Sequence, residues 1–396
     1  MAVKHRTLRL IVVIVGVAVL FLYNCNQCSF SATLLMSFPA WKVQFAFPVR
    51  RTQVSPIINS AIEINDRGVA ETEKKTNVLI IAQGRSGSSF LGQLFNQHSD
   101  VLFLYEPLYN LEQVEQKDSI RGNSPQEYNR LATTYLQDIL TCSFRNEKYL
   151  AFMSRLGHFR FSSRVLKSPP FCHPKAQKEN LSDIISQGLC DSLTKDELER
   201  TCRKHKLSVI KLLSHRIPHQ RISYLLTNLS SESYNLIVIH LVRDPRAVIN
   251  SMWKNGWISH ADATDGSLYP YSPSDQQFHW FVQKICNDTI TNVNFGIDFV
   301  PRNRVKYKLV KYEDFVQKPQ QIAKIVYNFT GLKMSSKIEK WIYEATHPKS
   351  SEDTDDPYST RKDPRFVVSS WKTELDNYTR KVVEKYCSPI LNMLGY

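Results

Sequence analysis

Two apolar periods alternate along this chain. Asn77–Ala82 (NVLIIA) is an aliphatic run of strand length; after a Gly/Ser-rich turn, Phe90, Leu91, Leu94 and Phe95 recur at helical spacing. Further β-type runs cover Val101–Leu104, Ser208–Leu213, Leu236–Val242 and Val305–Lys311, with helical patterns between them. The clearest helix opens at SPQE, where Ser124 can cap, Pro125 suits the first helical position and Glu127 completes a capping box. Its apolar face carries Tyr128, Leu131, Ala132, Tyr135, Leu136 and Ile139. Strands alternating with helices predict an α/β fold around a mainly parallel sheet.

The N-terminal part follows neither period. Lys4, His5, Arg6 and Arg9 precede an uncharged run from Leu10 to Tyr23 that continues with few polar atoms to Cys25. Such a run suits a signal-peptide core, with a cleavage site conceivable between Ser29 and Ala32. Leu8 and a snorkelling Arg9 can lengthen it, so an uncleaved signal anchor is favoured, with the flanking positive charge keeping the N-terminus cytosolic. The expected layout is a cytoplasmic tail (1–7), a transmembrane anchor (8–25), a lumenal stem (26–75) and a folded domain (76–396).

Two features agree with a secretory address. Asn180, Asn228, Asn287, Asn328 and Asn377 each begin an Asn-x-Ser/Thr sequon. Cys142, Cys172, Cys190, Cys202, Cys286 and Cys387 follow the apolar run, an even number that allows three disulfides in fifteen connectivities. Beyond Cys25 and Cys28 there is no Cys-x-x-Cys pair, so no zinc site is expected. Setting aside Lys4, Arg6 and Arg9, 48 basic residues face 37 acidic ones, a net charge of +11. In a lumenal protein this charge points to acidic glycans or anionic cofactors rather than nucleic acid.

Two junctions carry candidate chemistry. Gly84, Arg85, Ser86, Gly87, Ser88, Ser89 and Phe90 (GRSGSSF) link a strand to a helix, and small side chains there let backbone N–H groups converge on an anion at the positive helix end. Counted from Gly84, a P-loop would need glycine at Ser89 and lysine after it, so this is not a nucleoside-triphosphate loop. Taken alone, the turn also reads as an ordinary Ser-capped helix. The second junction, LVRDPRAVINS, ends a strand at Arg243, caps a helix with Asp244, places Pro245 first and Arg246 next, and sets Ser251 about two turns in. A guanidinium and a hydroxyl can grip a terminal phosphate, although RDPR taken alone is more often a salt-bridged cap. Two such junctions in one domain imply a ligand with phosphates at both ends.

GRSGSSFLGQLF and LVRDPRAVINS resemble the 5'-phosphosulfate loop and 3'-phosphate motif of Golgi carbohydrate sulfotransferases, most closely the galactose, N-acetylgalactosamine and N-acetylglucosamine 6-O-sulfotransferases. FLYEPLYN, VIKLLSHR, KLVKYEDF and LNMLGY extend the likeness from Asn77 to the C-terminus. The resemblance implies a P-loop-like three-layer α/β sandwich and 3'-phosphoadenosine 5'-phosphosulfate as co-substrate, without a metal. It also implies a Golgi membrane location with the catalytic domain lumenal. Arg85 through Ser89 would bind the 5'-phosphosulfate, and Arg243 and Ser251 the 3'-phosphate. The acceptor would be a glycan, acidic or carried on a glycoprotein or proteoglycan; a homo-oligomer is compatible. The family usually has histidine at the position of Asn110, and several relatives have more cysteines around Cys172 and Cys190, which bears on acceptor choice and disulfide pairing.

Sulfuryl transfer needs a base, a cation and a held leaving group. Glu106, just after the second strand, is the candidate base, with a helix-capping or salt-bridged carboxylate as its alternative reading. Arg85 would stabilise charge on the group in transit. Lys211 could face the same crevice, but a surface strand lysine is the favoured reading. Two rivals remain: a Golgi glycosyltransferase using Asp353 and Asp355 as a metal motif, and a non-catalytic glycan-binding protein.

Overall fold

The computed structural model describes residues 74–109, 111–112, 125–259, 269–270, 274–299, 305–347 and 364–396. The anchor, nearly all of the stem, Ser124, Asn110 and the Asp353–Asp355 triplet lie outside these. Among the described residues no helix is long and apolar enough to cross a membrane.

Each aliphatic run became a strand: β1 Lys75–Ala82, β2 Val101–Tyr105, β3 Leu207–Leu213, β4 Tyr234–Val242 and β5 Lys306–Lys311. They form one sheet in the order β2-β3-β1-β4-β5, parallel throughout. Because side chains alternate across a strand, Leu79 and Ile81 of β1 pack on one side while Val78, Ile80 and Ala82 pack on the other. Helix α1 (Ser88–Asn96) covers the second face with Phe90, Leu91, Leu94 and Phe95. Helix α2 (Pro125–Leu140) covers the first with Ala132, Tyr135, Leu136 and Ile139. Both faces are therefore layered with helices, the expected three-layer sandwich. The Glu127 carboxylate pairs with Arg130 at 2.6 Å, and its expected capping partner Ser124 lies outside the described residues.

The remaining helices that frame the site are α3 (Lys195–Lys204), α4 (Pro245–Lys254), α5 (Gln276–Phe299), α6 (Pro319–Phe329), α7 (Ser336–Thr346) and α8 (Asn377–Leu394). Helices α6 and α7 join α1 on its face, while α4, α5 and α8 build a third apolar cluster beside β4. The six cysteines among the described residues are paired, as Cys142–Cys202, Cys172–Cys190 and Cys286–Cys387, and the last of these ties α5 to α8. The five sequon asparagines are all exposed.

Candidate active site

The chain order reverses at β1, which lies between β3 and β4. In open α/β sheets ligands settle outside the carboxyl ends of strands at such a point. In register, Ala82 is level with Leu213 on one side and Leu241 on the other, so the segments after all three strands emerge together. Ser214 fastens two of them: its N–H donates to the Ala82 carbonyl at 2.8 Å and its hydroxyl to Gln83 Oε1 at 2.7 Å.

The Gly/Ser loop is narrow by necessity. Gly87 has φ 84° and caps α1 without any side chain, so the ordinary Ser-capped helix is not what forms. A Cβ on Gly87 would stand 2.2 Å from the Tyr312 ring, and one on Gly84 would stand 2.4 Å from the Trp257 ring. The first N–H groups of a helix lack acceptors within it, and no cap side chain answers those of α1. Ser86 is fully buried, yet its hydroxyl has no hydrogen-bond partner.

Arg85 joins the two junctions. Its backbone carbonyl accepts from Arg243 Nη1 at 2.9 Å, and its own Nε donates to Ser251 Oγ at 3.2 Å. Arg243 lies over the Tyr312 ring, donates Nη2 to the Val367 carbonyl, and leaves Nε buried and unpartnered. Asp244 accepts from the Arg246 N–H as the expected cap, while its own N–H donates to Glu313, which also takes the Tyr396 hydroxyl at 2.9 Å. Gly84 to Ser89, Arg243 and Ser251 thus share one edge of the sheet. The side chains of three other candidates are occupied elsewhere. Phe90 packs on Phe315 and Trp341, Pro245 is buried at the start of α4, and Arg246 binds Asp244 and Glu384 above Trp371.

Glu106 sits at the end of the neighbouring strand, with both oxygens engaged: Oε1 by Lys211 at 2.5 Å and Oε2 by Arg216 at 2.5 Å. Burial alone would raise its pKa, but Lys211 and Arg216 outweigh it and hold the carboxyl below its ordinary value. Lys211 is not a surface residue as expected: it is 2% exposed. The reason is that β3 is an interior strand covered on both faces, so a lysine there must be paired. It also donates to Ser89 Oγ at 3.1 Å and lies over the Tyr105 ring at 3.9 Å, which ties the carboxylate to the loop. Both Arg85 (φ 67°) and Glu106 (φ 45°) have left-handed backbones, a strained state for such residues that persists mainly at functional sites.

Sequence reasoning assigned no part to Arg216, His215, Trp257, Tyr312 or Glu313. His215 follows Ser214, faces the Trp257 ring, and makes no hydrogen bond with a described residue. Burial, with Arg216 next to it, pushes its imidazole down to about 3, so it is neutral at physiological pH. A signal was available for Lys211 and Arg216, two cations beside an apolar run that call for a carboxylate. Trp257 and Tyr312 meet the loop only through long-range contacts, which have no local signature.

A family of known proteins shares this arrangement's sequence: the family defined by the sulfotransferase domain matches residues 75–395. The chain belongs to the sulfotransferase family. It is 29% identical to carbohydrate sulfotransferase 1 of Danio rerio, over 93% of this chain and 94% of that one. It is 28% identical to carbohydrate sulfotransferase 6 of Homo sapiens, over 82% and 81% respectively. Among solved structures, the sulfotransferase domain from the curacin biosynthetic pathway aligns over 82% of this chain and 99% of that one, at 17% identity and a TM-score of 0.40. As a member of this family the protein is an enzyme, a sulfotransferase dependent on 3'-phosphoadenosine 5'-phosphosulfate. The residues present fit that co-substrate: Ser86 Oγ and Arg243 Nε are buried donors in need of an acceptor, one at each junction.

Proposed function

We propose that this sulfotransferase places a sulfuryl group on the 6-hydroxyl of a galactose, N-acetylgalactosamine or N-acetylglucosamine residue in a glycan such as keratan or chondroitin sulfate. We place it in the Golgi membrane as a single-pass protein with its catalytic domain lumenal. The observation that carries the reading is the union of the two junctions through Arg85, which sets donors for two separated phosphate groups on one edge of the sheet. The named relatives, all carbohydrate sulfotransferases, support a glycan acceptor over other classes.

The co-substrate supplies the sulfuryl group. The amides of the Gly84–Ser89 loop and the Ser86, Ser88 and Ser89 hydroxyls hold its 5' end, and Arg243 with Ser251 holds the 3'-phosphate. Arg85, already beside Ser251, stabilises negative charge where the transfer occurs. Glu106 accepts the proton of the sugar hydroxyl. An ionised carboxylate offers about four acceptor positions, so two ion pairs leave room for a third partner, while Lys211 and Arg216 keep it ionised and aimed. One observation favours a second proton acceptor, His215: its imidazole has no hydrogen-bond partner among the described residues, which leaves a ring nitrogen open, although burial makes that nitrogen a weak base.

The test is transfer of labelled sulfate from the co-substrate to a panel of desulfated glycans, with the position of the new ester read by mass spectrometry. Sulfate at the 6-position of one of the three sugars is expected; sulfate on a ring hydroxyl or on no glycan would overturn the reading. If His215→Asn stops transfer and Glu106→Gln does not, the proton goes to the histidine.

A further inference from the structure

A second concave surface lies at the opposite edge of the sheet, where the strands begin. It encloses about 810 Å³ and includes Lys74 and Lys75 at the start of β1, Arg203 and Lys204 at the end of α3, and Lys206 just before β3. Asp100 is the one carboxylate in its lining, among the described residues. Several of these cations have local duties. Lys75 donates to the carbonyls of Cys202 and His205 at 2.6 and 2.5 Å, and Arg203 pairs with Glu199 at 3.0 Å. Lys204 and Lys206 have none: both are exposed, and neither makes an ion pair or hydrogen bond with a described residue. Helix C-termini favour cations, which accounts for Arg203 and Lys204, but Lys206 and Lys74 lie outside that turn.

The walls are fixed before any ligand arrives. The Cys142–Cys202 disulfide fastens Cys142 of the groove's lining to α3, and the ammonium of Lys75 bolts β1 to the end of α3. Hydroxyls from Thr76, Ser99, Thr141 and Ser233 stand among the cations. Cations for acid groups and hydroxyls for hydroxyls match an anionic saccharide. Of the two rings in the lining, Tyr234 is buried and His205 is half-buried and held on the Thr201 carbonyl, so bases have no open stacking platform of the kind single-stranded nucleic acid uses. A concave surface without exposed large apolar side chains also does not suit a bilayer.

We propose that this groove is a second binding site, for a sulfated or carboxylated stretch of the same glycan chain whose free hydroxyl reaches the catalytic edge. The proposal rests on the reading that the acceptor is a glycan. Holding one part of a chain raises the effective concentration of the rest at the catalytic edge, but only when the chain can span the two. The separation is at least the length of β1, about 25 Å for eight residues at roughly 3.3 Å each. Long anionic acceptors should therefore gain and short ones should not.

The experiment uses the full-length protein and chondroitin sulfate oligosaccharides of graded length as probe, with the nucleotide site saturated by 3',5'-bisphosphoadenosine for binding and footprinting and by 3'-phosphoadenosine 5'-phosphosulfate for kinetics. Acetylation footprinting should show Lys204 and Lys206 protected by the oligosaccharide. The exposed double variant Lys204→Ala/Lys206→Ala should bind it about tenfold more weakly and raise KM for long acceptors, with kcat and turnover of short acceptors unchanged. Unchanged affinity in the variant, or equal protection of these lysines by single-stranded DNA of the same charge, would overturn the proposal. Failure of the functional reading looks different: no sulfate would reach any glycan, while the groove would still bind the oligosaccharide.

Discussion

Replacing Glu106 with glutamine tests base and ion pair together, and the structure separates the two effects. The substitution leaves Lys211 and Arg216 buried without their shared anion. Arg216 keeps Glu112 at 2.5 Å, so the stranded charge is Lys211, left with Ser89 Oγ and the face of Tyr105. Orphaning a buried ion typically costs about 3–5 kcal/mol, which for a domain of this size lowers Tm by on the order of 10 °C. Adding Lys211→Met removes the stranded charge, so the double variant should regain most of that stability. Turnover should behave otherwise. Loss of a general base costs about two to four decades, and the double variant should stay that slow, with 3',5'-bisphosphoadenosine affinity intact throughout. Calorimetric unfolding and single-turnover sulfation across the full cycle, with Lys211→Met alone as control, read both effects. If stability and turnover return together in the double variant, Glu106 is a structural anion and its role as base is refuted. If Glu106→Gln loses no stability, the ion cluster itself is refuted.

Two further outcomes follow from the geometry. Gly87→Ala forces a left-handed alanine, costing about 1–2 kcal/mol, and drives a methyl into the Tyr312 ring that also carries Arg243; bisphosphoadenosine affinity should drop at least tenfold, and an unchanged isotherm and Tm would contradict the loop geometry. Buried His240, bonded to the Tyr307 hydroxyl, is pushed down to about 4 by burial, against about 6.5 when unfolded. Its depressed pKa means its contribution is complete above pH 6.5 and is lost as pH falls toward 4, about 3 kcal/mol in all. Thermal unfolding should weaken across that window and do so less in His240→Gln; equal slopes would refute the burial argument.

The strands and their alternation with helices were legible because aliphatic runs bounded by turn residues leave few alternatives. Asp244 and Pro245 were legible as cap and first helical residue for a local reason, since both act within one turn. The salt-bridged cap that RDPR suggests on its own is what Arg246 makes with Asp244. Nothing in RDPR tells that Arg246 also stacks on Trp371, a residue more than a hundred positions away. Lys211 was misread for a related reason: an apolar run shows that a strand is buried but not that both faces are. Cysteine parity announced disulfides, yet choosing among the pairings required the topology that brings α5 beside α8.

The central claim is that the junctions at Arg85 and Arg243 form one site for a nucleotide phosphorylated at both ends. Calorimetry of 3',5'-bisphosphoadenosine and of 5'-AMP, on the wild type and Arg243→Ala, tests it most directly. The variant should lose far more affinity for the bisphosphate than for the monophosphate, since on the proposed assignment the guanidinium binds the 3' group directly and touches the 5' loop only through the Arg85 carbonyl. Equal losses for the two nucleotides would contradict the account.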